Sequence, residues 1–156
     1  MPKYQNLLLN IVTLIIIFAT SLWVSPALAV TQKLQLNTAT GYVVKTTFSY
    51  DDAKNPEIIA EHGQGETQII DSMRVSFYQP SGELIASYDN IIDGVARGTY
   101  FEFNYQPATQ QLRGEIDLGG ELPGEIYLKG KADGELSLIK VKTSGDEEII
   151  DIVKQS

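Results

Sequence analysis

Gly114-Glu115-Ile116-Asp117-Leu118, Gly124-Glu125-Ile126-Tyr127-Leu128 and Gly134-Glu135-Leu136-Ser137-Leu138 follow one another at intervals of ten residues. Each copy leaves a turn on its glycine, then alternates polar and aliphatic residues, the period of a strand with one face on a core. A unit of about ten residues is too short for a three-faced solenoid coil, and three copies are a bare minimum for an array. The repeat reads instead as a meander of hairpins, with Gly82-Glu83-Leu84 as a shorter echo.

The same rhythm extends upstream. Within Gly41 to Tyr50, the residues Tyr42, Val44, Thr46, Phe48 and Tyr50 share one face, and Val43, Lys45, Thr47 and Ser49 the other. Met73, Val75 and Phe77 alternate with Arg74, Ser76 and Tyr78, and Pro80-Ser81-Gly82 then turns the chain into Glu83 to Asp89, where Leu84, Ala86 and Tyr88 recur. Thr99, Phe101, Phe103 and Tyr105 alternate with Tyr100, Glu102 and Asn104 before a turn at Pro107-Ala108-Thr109 and a strand at Leu112 to Leu118. Further strands are expected at Glu125 to Lys129, Glu135 to Lys142 and Glu147 to Val153, with a first one at Gln32 to Leu36. Pro56 to Glu61 is expected as a single helical turn. Turn-separated strands every 8–12 residues or so predict an all-β domain, a single antiparallel sandwich of about nine strands, with an up-and-down barrel as the alternative.

Before this domain stands a different kind of segment. Met1 to Asn6 carries Lys3 as its only charged side chain, Leu7 to Val24 is an apolar stretch without a formal charge, and Ser25-Pro26-Ala27-Leu28-Ala29 closes it. A basic start, an apolar middle and a small-x-small ending form a secretory signal pattern. Pro26 stops a helix and leaves Ala-Leu-Ala extended for a peptidase. Residues 1–29 are therefore expected to be a signal peptide cleaved after Ala29, and residues 30–156 the exported domain, an uncleaved anchor being the alternative.

Composition narrows the function. The 156 residues hold 12 Lys and Arg against 20 Asp and Glu, a net charge of −8, which opposes phosphate binding and hence nucleic acid. The absence of cysteine excludes disulfides, thiolate metal sites and a cysteine nucleophile. No G-x-G-x-x-G, Walker or G-x-S-x-G motif is present.

Four groups of side chains invite a functional reading. Glu115, Glu125 and Glu135 raise the question of a carboxylate pair for glycoside hydrolysis, but in a meander Glu115 and Glu125 start at opposite ends, and Glu115 and Glu135 lie two strands apart, roughly 9.5 Å. Tyr78, Tyr100 and Tyr127 each stand out of phase with core residues and would form a stacking surface if they shared one outer face. Asp51-Asp52-Ala53-Lys54-Asn55-Pro56-Glu57 offers oxygen ligands for calcium, yet Lys54 and the missing EF-hand spacing favour a plain turn, and Asp146-Glu147-Glu148 reads as a charged hairpin tip. His62, the only histidine, sits between Glu61 and Gly63 in a Gly-rich turn, a poor place to orient a general base.

The expectation is a non-catalytic binding or structural module of the periplasm, cell envelope or medium, with no metal or cofactor and a partner that is an envelope component or small ligand. A lipocalin-like carrier of an apolar ligand and a hydrolase using paired carboxylates are the alternatives. For the acidic loop, calcium is expected to shift the thermal melt no more than magnesium at equal ionic strength, checked by calorimetry. A specific site would instead add about 2.7 kcal/mol at a hundredfold excess over Kd, and the Asp51→Asn, Asp52→Asn variant would abolish that gain.

Overall fold

β-branched and aromatic residues at every second position favour a pleated surface covered on one side, and the alternating stretches pair accordingly. A computed structural model describes residues 29–154 apart from Asn55 and Thr99. It contains thirteen strands: β1 (Ala29–Asn37), β2 (Val43–Asp51), β3 (Ile59–His62), β4 (Gly65–Glu66), β5 (Ile70–Tyr78), β6 (Leu84–Ile92), β7 (Val95–Ala96), β8 (Glu102–Gln106), β9 (Gln111–Leu112), β10 (Glu115–Gly119), β11 (Ile126–Lys131), β12 (Leu136–Val141) and β13 (Glu147–Ile152). The expected signal peptide, residues 1–29, lies outside the described residues except for Ala29, which opens β1. Among those described, no helix is long and apolar enough to cross a membrane.

The strands form a β-sandwich of two antiparallel sheets. The first runs β1-β2-β5-β6-β7-β4 and the second β13-β12-β11-β10-β8-β3, with β9 paired to β8. The ten-residue repeat becomes register: Leu118 pairs with Leu128, and Leu128 with Leu138, in one row facing the first sheet. Between the sheets Phe48 packs edge-on against Phe103 and Tyr105, with ring centroids 4.9 and 5.0 Å apart. Val44, Met73, Val75, Phe77, Ile116 and Leu118 fill the space around them.

All nine expected strands are present, and four short ones are new. β3, β4, β7 and β9 have two to four residues each, too few for alternation to register. The expected helical turn at Pro56–Glu61 is not formed: among the described residues the one helical turn falls earlier, at Asp52–Lys54, and Ile59 to Glu61 belong to β3, where Ile59 pairs with Tyr105. The expected strand Leu112–Leu118 is broken at Arg113-Gly114, where the Arg113 N–H bonds the Asn104 carbonyl. Leu84, expected inside, is exposed, because the β5–β6 register slips between Phe77 and Tyr78.

Polar residues tie the two sheets together. Chain continuity closes one seam: β3 of the second sheet passes through Gly63 and Gly65, both at positive φ, into β4 of the first. Beside it the buried Glu61 accepts the Gln68, Ile69 and Ile70 N–H groups at 3.0, 2.7 and 3.4 Å. At the other seam Thr38 bridges Val153, and Asp151 Oδ2 accepts the Thr40 N–H at 2.9 Å and its hydroxyl. Burial works to raise the Asp151 pKa, but hydrogen bonds from Thr38, Thr40 and the Ile152 N–H outweigh it and hold it at about 2.

A carboxyl whose pKa is lowered by folding stabilises above its unfolded value, and that contribution is lost as pH falls through the folded one. Asp151→Ala is therefore expected to lower the urea midpoint at neutral pH. The gap to the parent protein should close between about pH 4 and about pH 2, and a gap that persists at the acid end would contradict this account.

Candidate functional site

The outer face of the second sheet carries a row of chemistry-bearing side chains. Cross-strand pairing sets His62 of β3 opposite Glu102 of β8, Glu102 opposite Asp117 of β10, Asp117 opposite Lys129 of β11, and Lys129 opposite Ser137 of β12. These residues alternate with the inward Ile116, Leu118, Leu128 and Phe103, so the same period that builds the core brings them together. Lys129 is the hub. Its Nζ lies 3.1 Å from Asp117 Oδ2 and 3.8 Å from Glu121 Oε1, and 6.0 and 5.7 Å from the ring centroids of Tyr100 and Tyr127. Tyr100, 43% exposed, donates its hydroxyl to Glu102 at 2.9 Å.

Asp117 is only 3% exposed although it points away from the core. It lines a cleft of about 320 Å³ with Tyr100, Glu102, Glu115, Ile116 and Lys129. A second cleft of about 320 Å³ has Tyr100 as a shared wall and continues over Tyr88, Asn90, Gly120 and Glu121.

The loop carrying Glu121 is fixed from the opposite sheet. Asn90 of β6 donates Nδ2–H to the Gly119 carbonyl at 3.1 Å and accepts the Gly119 N–H at 3.2 Å. The Tyr88 hydroxyl accepts the Ile126 N–H at 3.2 Å, and Glu125 accepts the Leu122 N–H at 2.8 Å. Only glycine fits between these groups. At Gly119, whose φ is +128°, a Cβ would stand 2.7 Å from the Ile126 carbonyl oxygen and 2.8 Å from Tyr127 Cα. At Gly120 it would overlap the Tyr88 ring and the Glu125 carboxylate.

Electrostatics follow from this crowding. Burial raises the Asp117 pKa to about 6, with Glu121 and Glu102 adding to the rise and Lys129 opposing it. Burial works against the Lys129 charge, but Asp117 and Glu121 outweigh it and the pKa is raised. Burial likewise raises the Tyr127 phenol, with Glu147 adding to it. Among the described residues, the Lys129 ammonium, 3.1 Å away, is the one group that engages Asp117 Oδ2. A buried carboxylate with a single cation beside it is costly to keep ionised.

The expected residues are distributed differently from their reading in sequence. Glu115 and Glu135 are exposed; Glu115 pairs with Lys131 Nζ at 3.3 Å, and Glu125 is engaged with its own loop. The close carboxylates are Asp117, Glu102 and Glu121. Asp117 and Glu121 touch the same Nζ, so they are no farther apart than those two contacts laid end to end. Tyr100 and Tyr127 flank Lys129, but Tyr78 lies on the outer face of the first sheet, 4.8 Å from Lys45 Nζ, so the three do not share a face. Asp51 closes its turn by accepting the Ala53 N–H at 2.9 Å, and Lys54 reaches the Gln68 carbonyl; Asn55 of that loop lies outside the described residues. Asp146 accepts the Ser144 hydroxyl at 2.8 Å in a hairpin tip, where Glu148 pairs with Lys142. His62 is exposed at the sheet edge.

Among the described residues, no group of three His, Asp or Glu side chains is arranged to hold a metal ion. A groove of about 370 Å³ lies at the β1 seam, where Leu34, Leu36, Leu112, Leu136 and Val153 are mixed with polar residues such as Gln111, Arg113, Asp133 and Lys154. Comparison with known proteins finds no family model, no curated protein and no solved structure that matches the chain.

An acid whose pKa is raised by folding binds its proton more tightly in the native state, so its effect on stability becomes more favourable as pH falls through that value. Asp117→Asn is expected to raise the melting temperature near neutral pH, where the buried carboxylate is ionised. The advantage should fade between about pH 6 and about pH 4; calorimetry across that range checks it, and a variant less stable than the parent near neutrality would contradict it.

Proposed function

We propose that the chain is an exported, non-catalytic binding module of the periplasm, cell envelope or medium, and that its ligand sits in the cleft of Tyr100, Asp117 and Lys129. The observation that carries the reading is Asp117, a nearly buried carboxylate that lines an open cleft with the Lys129 ammonium as its one partner among the described residues. A fold keeps such a group at a cost in stability, and polar groups of this kind concentrate where a ligand completes them. Export rests on the apolar stretch Leu7–Val24 and the Ala27-Leu28-Ala29 ending. Binding is favoured over hydrolysis because Lys129 is shared between Asp117 and Glu121, which leaves both carboxylates engaged with one cation. General acid–base work asks instead for two carboxyls with separate roles on either side of a scissile bond.

A carrier of a small ligand with an apolar part is the second reading, supported only by the aliphatic side of the mixed groove at the β1 seam. It would not use the space between the sheets, where the rings of Phe48, Phe103 and Tyr105 interlock.

Fractionation of cells expressing the full chain is expected to give an exported product whose intact mass begins at Val30. Amide shifts of that product, titrated with a mixed set of sugars, amino acids, polyamines and fatty acids, should move at Tyr100, Glu121 and Lys129. Movement at Leu34 and Leu112 instead would transfer the site to the seam groove. A cytoplasmic product would contradict export, and no movement anywhere would contradict binding.

A further inference from the structure

We infer that the free edge of β1 pairs with β1 of a second copy of the chain, joining two first sheets into one continuous antiparallel sheet. β1 keeps nine consecutive residues in register with β2, and among the described residues no strand covers its other side. The Thr38 N–H bonds the Tyr42 carbonyl, toward β2, whereas the Asn37 carbonyl accepts the Lys154 N–H from outside the sheet. Backbone groups alternate in direction along an antiparallel strand, so even-numbered residues of β1 bond toward β2 and odd-numbered ones point away. Thr31, Lys33 and Gln35 thus hold out a row of N–H and C=O groups, the template on which a further strand forms.

The other sheet ends are guarded. β3 and β4 have four and two residues. β13 presents exposed Glu147 and Glu148, its register with β12 shifts between Leu138 and Ile139, and its Ile152 carbonyl is taken by the Ala39 N–H. β1 has no register shift, no proline and one charged residue, Lys33. Two chains of charge −8 repel each other least where they meet without acids, and β1 contains none.

Gln32 selects the occupant. It stands half-buried in the row Val30, Gln32, Leu34 and Leu36, whose aliphatic members pack on the core, and among the described residues its amide makes no hydrogen bond. An amide both donates and accepts, so a second amide facing it satisfies both needs, and a two-fold axis through Gln32 supplies its own mate. Neighbouring registers are worse. An axis through Lys33 would set two ammonium groups directly opposite each other. An axis through Leu34 would bring Thr31 against Asn37, where Lys154 already occupies the edge. With the axis at Gln32, Thr31 of each copy exchanges backbone hydrogen bonds with Lys33 of the other, and Val30 packs against the opposing Leu34. One strand per copy is a small contact, below the roughly 1,200 Å² of stable complexes, so the pairing is concentration-dependent.

Sedimentation equilibrium of the protein purified after expression of the full chain is expected to show monomer at micromolar and dimer toward millimolar concentration. Lys33→Pro removes an N–H that points away from β2, and should weaken the dimer about tenfold or more through the two hydrogen bonds lost. Gln32→Lys, a change at a half-exposed position, should weaken it too by setting like charges on the axis. Residues on that axis form a non-hydrogen-bonded pair with Cα atoms about 4.5 Å apart, within disulfide reach. In this cysteine-free chain Gln32→Cys should therefore cross-link two copies under mild oxidation, whereas Leu34→Cys, about 14 Å from its mate, should not. A protein still monomeric at millimolar concentration overturns the inference. So does a dimer that both Lys33→Pro and Gln32→Lys leave intact, or one that cross-links through Leu34→Cys and not through Gln32→Cys. Slow exchange of the Thr31, Lys33 and Gln35 amides in the dilute monomer would mean that the chain's own residues cover the edge, and overturns it as well.

Discussion

The pair of hydrogen bonds between Asn90 and the Gly119 peptide group holds the rest in place. Asn90 belongs to β6 of one sheet and Gly119 ends β10 of the other; Asn90 is buried and Gly119 half-buried. In that setting two bonds with matched donor and acceptor do more than add their modest net energies, because losing either leaves a buried group unpaired. They fix the separation of the sheets at one end, set the path of the Gly119-Gly120 turn and determine where Glu121 emerges. The aromatic packing of Phe48, Phe103 and Tyr105 supplies the bulk of the cohesion, but it is indifferent to a small slide of one sheet over the other; a two-point amide contact is not.

Glu61 and Asp151 act in the same way at the two seams, each a carboxylate accepting backbone N–H groups across from it. Asp117 is the contrast. It too is buried, but its partner is a single lysine ammonium and not a row of backbone N–H groups. The three clamped side chains stabilise the fold, whereas this one is a charge the fold would hold more comfortably as a neutral acid. The clamps supply the rigidity that keeps an uncomfortable carboxylate from relaxing toward solvent.

Much of the fold is legible in the residues. Alternation places Val44, Phe48, Val75 and Phe77 inside, and the ten-residue spacing of Leu118, Leu128 and Leu138 is the hairpin register itself. The short strands β3, β4, β7 and β9 escape because two to four residues are too few for alternation to register, and β3 and β4 also pair with partners distant in sequence. The site escapes for a related reason. Asp117 sits in the polar phase of its strand like any surface acid, and nothing local distinguishes it from Glu115. Its burial comes from Tyr100, Glu102 and Lys129, contributed by other segments. Only the doubled glycine before Glu121 carried a local hint, since two in a row at a strand end mark a place where backbones come unusually close.

That doubled glycine gives the site an inheritable signature. Asn90 and Gly119-Gly120 answer to the architecture, whereas Asp117, Lys129 and Tyr100 answer only to the cleft. Chains descended from a common ancestor can therefore lose the second set and keep the first, remaining well-folded sandwiches with an emptied face. A lineage that drops Asn90 has no such freedom, because the glycine pair then has nothing to align it. Sorting descendants by which of the two sets they retain would separate those that kept the cleft from those that kept only the scaffold.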